Sequence, residues 1–512
     1  MKQDPSTAAW QLYEAGKAYK RRIGLYETVR RNEKFYRGEQ WTAADDGLPR
    51  PVFNIIRRIL DHLIGAIAPQ ELSVHYTDDR LPFLGNSALR DSVSAGLELL
   101  NRNAAYRFTH SRIDELSGRA LLDAALTGDG IFYCWWDNAC LCGQPFCGDI
   151  RTDLIRSTGY FPADPTLDDV QSQEWILLSG RAPVTSLRKE AEQNGMSHAD
   201  AMKIQPDTEP EDGSQVSSEQ DGKATYLLLF RRENGQVVCE KSTRTKLLRR
   251  TETGLRHYPI ARFHWIPTRD SCHGTSPVSE MIPNQRYINA AYAMVMKHMT
   301  DTAFSKIIYD KSRIPEWSNE VGEAIAAMGG GNVADAVSVV GVGQLEDGYL
   351  ELINSVVENT KGMMGATESA LGDAEASNTS AILALQQASR IGLGQVSARF
   401  NRCLGELAEI WADMLCAYSP QERLLPVREG GGVAAYPVDY RQLREELLHA
   451  TAETGSIDRF TPSATVSLLD RLLERGHITV TQYLEHLPDG CITDRNSLLR
   501  SVEEKGKEHT DE

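Results

Sequence analysis

SAILALQQASRIGLGQVSARFNRCLGELAEIWADMLCAY (380–418) is the longest uninterrupted pattern in the chain. Within it Leu393, Val396, Phe400, Leu404, Leu407, Trp411, Met414 and Tyr418 step by 3, 4, 4, 3, 4, 3 and 4, the spacing of one apolar seam along a long helix. Such a seam is too long and one-sided to be covered inside a small isolated domain. Phe400, Leu404, Leu407 and Trp411 are therefore expected to pack against further copies of the chain.

Working upstream, ATESALGDAEASNTS (366–380) loses all large-residue periodicity except Leu371, and a helix over 351–366 precedes it. Residues 276–305 form a second one-sided helix, with Val278, Met281, Ile282, Ile288, Tyr292, Val295, Met296, Met299 and Ala303 in its stripe; it would be about 45 Å long. Between these helices the pattern predicts a small α/β unit: strand FSKIIYD (304–310), a helix over 315–328, a turn at Gly329-Gly330-Gly331 and strand VSVVGV (337–342).

The region before Thr275 mixes both periods. Helices are predicted over 6–41, 51–68 and 85–126. In the second, Asn54 stands at the start and Pro69 at the stop. Strands follow at 131–137, 148–161, 174–181, 225–232 and 258–265, with a helix near 184–195. The acidic stretch 204–224 has no aromatics and reads as a flexible excursion. After Gly430-Gly431-Gly432 a last region, 440–507, reads as helical, with a stop at Gly476.

Length allows three or four domains, and 41% hydrophobic with 25% charged residues is a globular composition. Lys plus Arg total 55 against 71 Asp plus Glu, a net charge of −16, which argues against a general basic surface that grips nucleic acid. The N-terminus shows no secretion signal, no run of about 18 apolar residues occurs, and nine cysteines point to reduced thiols in a cytosolic setting.

Chemical motifs are few. GxxxxGK[ST], HExxH and GxSxG are all absent. Cys134, Cys140, Cys142 and Cys147 offer four thiolates within fourteen residues, the donor chemistry of a structural Zn²⁺; the alternative is a hairpin tip carrying free thiols. His264, His273 and His298 read as ordinary polar or half-buried histidines. Asp123, Asp129, Asp137 and Asp149 read as turn residues more readily than as a metal cluster. Trp135 and Trp136, adjacent on a strand, should point to opposite faces.

The order of these parts resembles that of tailed-bacteriophage portal proteins. The similarity lies in RNEKFYRGEQW (31–41), LPRPVFNIIRRILDHLIGAI (48–67), ALTGDGIFYCWWD (125–137), GYFPADPTLDDVQSQEWI (159–176), GTSPVSEMIPNQRYINAAYAMVMKH (274–298, with Gln285 and Asn289) and SNTSAILALQQASRIGLGQV (377–396). The resemblance implies an α+β, mainly helical fold. Its parts would be a wing (1–274), a first stem helix (275–305), a clip (306–350), a second stem helix (351–366), a tunnel loop (367–380), a long helix returning to the wing (381–440) and a helical crown with a charged tail (441–512). Thr367, Glu368, Ser369, Leu371, Asp373, Glu375 and Asn378 would form the tunnel loop. Lys311, Arg313, Glu316 and Trp317 would form the clip's docking surface. Lys297, Lys306 and Lys361 would offset an otherwise acidic channel wall.

The implied function is a conduit without catalysis or cofactor. It is a ring of twelve copies at one capsid vertex of the virion, assembled in the host cytoplasm. Double-stranded DNA would pass through it, and terminase large subunit, capsid, scaffold and head–tail adaptor would dock on it; no membrane is involved. The competing reading is a multidomain, metal-dependent nucleic-acid enzyme with a structural zinc. The acidic insert and the cysteine hairpin match nothing in the family pattern.

Overall fold

The computed structural model describes residues 5–42, 49–68, 74–78, 81–207, 222–302, 306–318, 320, 325–340, 348–366, 379–429, 432–446, 450–454, 462–487 and 498. The chain is α+β, 50% helical and 22% strand.

The predicted first helix is two, α1 (Pro5–Arg22) and α2 (Leu25–Arg37), parted at Gly24. α3 (Ile55–Ile67) begins as expected, with the Asn54 side chain accepting from Arg57 N. After β1 (Val74–Asp78), the expected helix over 85–126 divides into α4 (Ser87–His110) and α5 (Ile113–Thr127) at Arg112, which has a left-handed φ of 52°.

β2 (Asp129–Leu141), β3 (Cys147–Leu154), β4 (Tyr160–Pro162) and β5 (Trp175–Pro183) follow, then α6 (Val184–Gln193) and α7 (His198–Ala201). β6 (Lys223–Glu233), β7 (Gln236–Thr243), β8 (Leu247–Glu252) and β9 (Ile260–His264) complete two antiparallel sheets, in orders β3-β2-β9 and β4-β5-β6-β7-β8. Strands β7 and β8 were not legible, because their charged residues break the apolar alternation. Those charges are satisfied across the ladder: Arg250 stands opposite Glu240 in register and reaches its carboxylate at 3.4 Å.

Residues 208–221 of the acidic excursion lie outside the described residues. Its ends are not loose, which corrects the expectation there. Ile204 is buried, and Asp207 accepts from Thr225 N at 2.7 Å and pairs with Arg181 at 3.4 Å.

The long helix α8 (Pro277–Thr302) is followed by a two-stranded sheet of β10 (Lys306–Tyr309) and β11 (Val337–Val340). Of the helix expected over 315–328, the described residues 315–318, 320 and 325–328 are not helical, and Met328 N donates to Arg313 O at 2.7 Å. Pro315 and Gly322 weaken a helix there, and Arg313 O takes the Met328 N–H, which closes the two ends of the segment on each other.

α9 (Gly348–Met363) precedes α10 (Thr379–Tyr418). The return segment is a hairpin of β12 (Leu424–Glu429) and β13 (Gly432–Pro437), then α11 (Tyr440–Glu446). The C-terminal region is not uniformly helical. β14 (Ala450–Thr454) pairs antiparallel with β1, from the opposite end of the sequence, before α12 (Pro462–Glu474) and α13 (Val480–His486). Gly476 stops α12 as expected, and Thr479 opens α13 with a capping box to Gln482.

The seam of α10 does not face another copy. Phe400, Leu404, Leu407 and Trp411 are each at most 1% exposed within one chain. Phe400 packs edge-on against Phe263 of β9 at 4.8 Å, and Trp411 donates its indole N–H to Thr152 Oγ1 of β3 at 3.3 Å. The expectation failed because β9, β2, β3 and α3 from the part of the chain before α8, together with β14 and α11 from after the long helix, pack on it. Periodicity shows that a face is apolar but not what covers it.

Candidate ring and channel surfaces

α8 and α9 lie antiparallel. Asn284 near the start of one donates to Thr360 Oγ1 near the end of the other at 3.0 Å, and Ile288, Val295 and Ile353 close their shared core. This pair satisfies only one side of each helix. Tyr287, Met294, Met296 and Met299 of α8 are exposed, as are Tyr349, Leu350, Leu352 and Met363 of α9; Met294 is 61% and Met363 74% accessible.

The β10–β11 unit continues the same surface. Ile307 and Ile308 point to opposite faces of the strand and both are exposed, as is Val339 opposite Ile307. A two-stranded sheet open on both faces is marginal by itself. Its small core holds Ile314 and Ala336, with Trp317 stacked on Tyr309 at 5.2 Å. Fourteen of the 26 exposed large hydrophobic side chains among the described residues fall between Tyr287 and Met363. That segment is less than a fifth of the chain. The exposure is therefore concentrated and not the ordinary scatter of single apolar residues.

Of the expected docking residues, Lys311 and Glu316 are exposed. Arg313 is half-buried and donates to Asn332 O at 3.2 Å, and Trp317 is occupied with Tyr309. Lys297 is exposed, with Asp301 3.7 Å away one turn on. Lys361 is mostly buried and held by Glu358 at 2.6 Å, so within one chain it is not the open cation expected. Lys306 lies on β10, in register with Val340. Thr367, Glu368, Ser369, Leu371, Asp373, Glu375 and Asn378 lie outside the described residues.

The four-thiol zinc site is not assembled. Cys134 is buried in the core beside Thr152 Oγ1, and burial pushes its thiol up to about 12. Cys140, Cys142 and Cys147 stand apart from it at the hairpin tip. Among the described residues no group of three or more His, Cys, Asp or Glu side chains is placed to hold a metal. Six residues of extended strand, about 20 Å, separate Cys134 from Cys140, and that distance was readable in advance. Trp135 is exposed with its indole N–H on Asp153 at 2.6 Å, while Trp136 packs on Tyr418 and under Arg423. A cleft of about 430 Å³ beside them is lined by Tyr133, Tyr226, Phe230 and Tyr418; Lys241 and Arg249 there already pair with Glu190, at 2.6 and 3.5 Å.

Two buried polar clusters escaped the sequence reading. In one, Gln285 Oε1 accepts from Ile55 N at 3.0 Å while its amide donates to Phe53 O and Asn289 Oδ1, and Asn289 donates in turn to Gln40. In the other, Asp129 meets His264 and His273; the ladder places Asp129 opposite His264. Asp129, His264 and His273, read singly as ordinary, are thus one buried assembly.

The concentrated apolar segment between Tyr287 and Met363 is left without cover by the rest of the chain. Residues 185–440, half of the chain, match the family model of the phage P22-like portal protein. The chain belongs to that family, whose members are structural proteins of tailed phages and not enzymes. No curated protein matches it.

Proposed function

We propose that this protein is a portal subunit: a ring of twelve copies at one capsid vertex that passes double-stranded DNA during packaging and ejection. The concentration of exposed apolar side chains between Tyr287 and Met363 carries this reading. Buried between neighbours, it would join copies side by side along α8, α9 and the β10–β11 unit, which makes these segments the stem and clip. The mixed region before Thr275 is then the wing, 367–380 the tunnel loop and 441–512 the crown.

In this reading Lys311, Arg313 and Glu316 face the terminase large subunit during packaging and the head–tail adaptor afterwards. Lys297 and Lys306 supply cations to the channel. The wing meets capsid and scaffold in the host cytoplasm. Among the described residues no helix is long and apolar enough to cross a membrane. The enzyme reading has no geometric support, since neither the thiols nor the Asp residues converge.

Light scattering with negative-stain imaging tests the ring. The expected particle has twelve times the mass of the 56.9 kDa chain and a central hole. A compact monomer or dimer with metal-dependent nuclease activity would overturn the reading. Deleting 368–378 should leave ring mass unchanged and impair DNA packaging or retention; packaging at the wild-type level would remove the tunnel-loop role.

A further inference from the structure

The chain turns from the β3-β2-β9 sheet into α8 through residues 265–276, and this turn is built around one carboxylate. Asp129, fully buried at the start of β2, accepts from Gly274 N at 2.8 Å and from Ser157 Oγ at 2.7 Å. Its two oxygens also contact His264 Nδ1 and His273 Nδ1, each at 2.7 Å. His264 Nε2 meets Asp168 at 2.5 Å, and Arg262 reaches the same carboxylate at 3.0 Å. Two residues past Gly274, Ser276 ties the helix start to Ala125 O at 2.5 Å.

We propose that this cluster is a proton-sensitive joint between the β3-β2-β9 sheet and α8, closed near neutral pH and opened when His273 takes up a proton.

The geometry distinguishes the two histidines. His264 has a carboxylate on each ring nitrogen, so as an imidazolium it donates twice. With Arg262 it balances Asp129 and Asp168, and the closed cluster is neutral. His273 has only one partner side. Its Nδ1–H donates to Asp129, whereas its Nε2 is buried with no hydrogen-bond partner, in a side chain 4% exposed. A proton placed there would be a buried charged donor with no acceptor.

The surrounding charges agree. Burial pushes the His273 imidazole down, and Lys20 of α1 and Arg262 of β9 push the same way. Burial also pushes His264 down, but its hydrogen bonds to Asp129 and Asp168 outweigh this and hold it above the usual histidine range. Asp129, despite burial, is held well below the usual carboxylate range by both histidines. Of the other groups facing the cluster, Cys272 has its thiol pushed by burial up to about 11 and Tyr160 is likewise raised, so both stay neutral. From α10, Arg399 holds the His264 and Trp265 carbonyls at 3.2 and 2.7 Å, and Glu406 lies near Arg262.

The direction follows by linkage. An opened His273 protonates near pH 6.5 but the closed one resists, so the closed form loses stability as pH falls below about 6.5. His264 works oppositely. Its contribution is present below about pH 6.5 and is lost as pH rises through its raised value. The joint is therefore tightest near pH 6.5 and loses stability on either side.

This inference is read within one chain and does not depend on the ring. Hydrogen exchange on the purified full-length protein tests it, corrected for the intrinsic pH dependence of exchange. Between pH 7 and pH 5, amides of residues 264–285 should lose up to about sixfold of their protection, the His273 loss being partly offset by His264, while those of α4 (87–110) keep theirs. His273→Asn keeps an amide nitrogen near the Nδ1 position but cannot titrate, and should abolish the acid loss. Unchanged protection in the wild type, equal loss in α4, or an undiminished loss in His273→Asn would each overturn the proposal. Should that variant fail to fold, the wild-type comparison of the two segments decides alone.

Discussion

Asn289 donates its side-chain amide to Gln40 Oε1 at 2.6 Å, across 249 residues of sequence. Both side chains are buried, and the same chain of bonds continues through Gln285 to the backbone of Phe53 and Ile55. Three sequence stretches, 31–41, 48–67 and 274–298, thereby meet in one polar ladder against α8. Asn289→Leu would leave the Gln40 oxygen and the Gln285 amide buried with a partner missing. A loss of about 2–4 kcal/mol is expected. It would appear as a lower urea midpoint at unchanged m-value.

Gly128 and Gly274 bring two backbones together where β2 meets the start of α8. A Cβ on Gly128 would stand 2.1 Å from Gly274 O, and φ at Gly128 is 99°. Only a residue without a Cβ satisfies both conditions. Gly128→Ala is expected to abolish soluble folded protein. Gly143→Ala is the control: its φ is 73° but nothing lies within 4 Å, so it should cost only about 1 kcal/mol. Loss of soluble protein in Gly128→Ala beside a folded Gly143→Ala with a slightly lowered melting temperature separates crowding from backbone conformation.

Leu407 is fully buried in the core of the single chain. Leu407→Ala should destabilise the single subunit by about 2–5 kcal/mol, and Leu407→Asp should prevent its folding. Denaturation of the subunit would show this directly. Folded Leu407→Asp subunits that merely fail to assemble would contradict the packing described.

Met294 and Leu352 should behave in the opposite way, since both are exposed in one chain. Met294→Glu combined with Leu352→Glu is expected to change the melting temperature of the subunit by less than about 2–4 °C. The same variant should lose the ring mass in light scattering. Rings of normal mass would move the subunit contact away from α8 and α9.

Glu406 of α10 is largely buried near Glu409 and Asp169, and burial first, then these like charges, push its carboxyl up to about 7. A raised carboxylate value means the folded state holds its proton longer than the unfolded one. The group's contribution is therefore lost as pH rises from the ordinary carboxylate range through about 7. Glu406→Gln should stabilise the protein by roughly 1–2 kcal/mol at pH 8 and by little at pH 5. Paired urea titrations at the two values check the sign.

The sequence by itself determined the elements whose signal is local. The Asn54 cap, the Gly476 stop, the strands of β2, β5, β6 and β9, and the unbroken helix of 380–418 all follow from periodicity and caps, which depend on neighbours a few residues away. The family motifs were also legible, and they sit where distant segments cross: Gln40, Gln285 and Asn289 in one ladder, Asp129 and Gly274 in the joint. Tertiary structure decided what covers each apolar face. It buried Phe400, Leu404, Leu407 and Trp411 in the chain's own core and left Met294, Met363 and Ile308 uncovered. It separated Cys134 from the other thiols and joined Asp129 to two histidines far along the sequence. The physical reason is the same in each case. Hydrophobic burial is non-directional, so a stripe records the need for cover but not its partner. A buried charge, by contrast, is stable only where the fold brings its complement within hydrogen-bond distance.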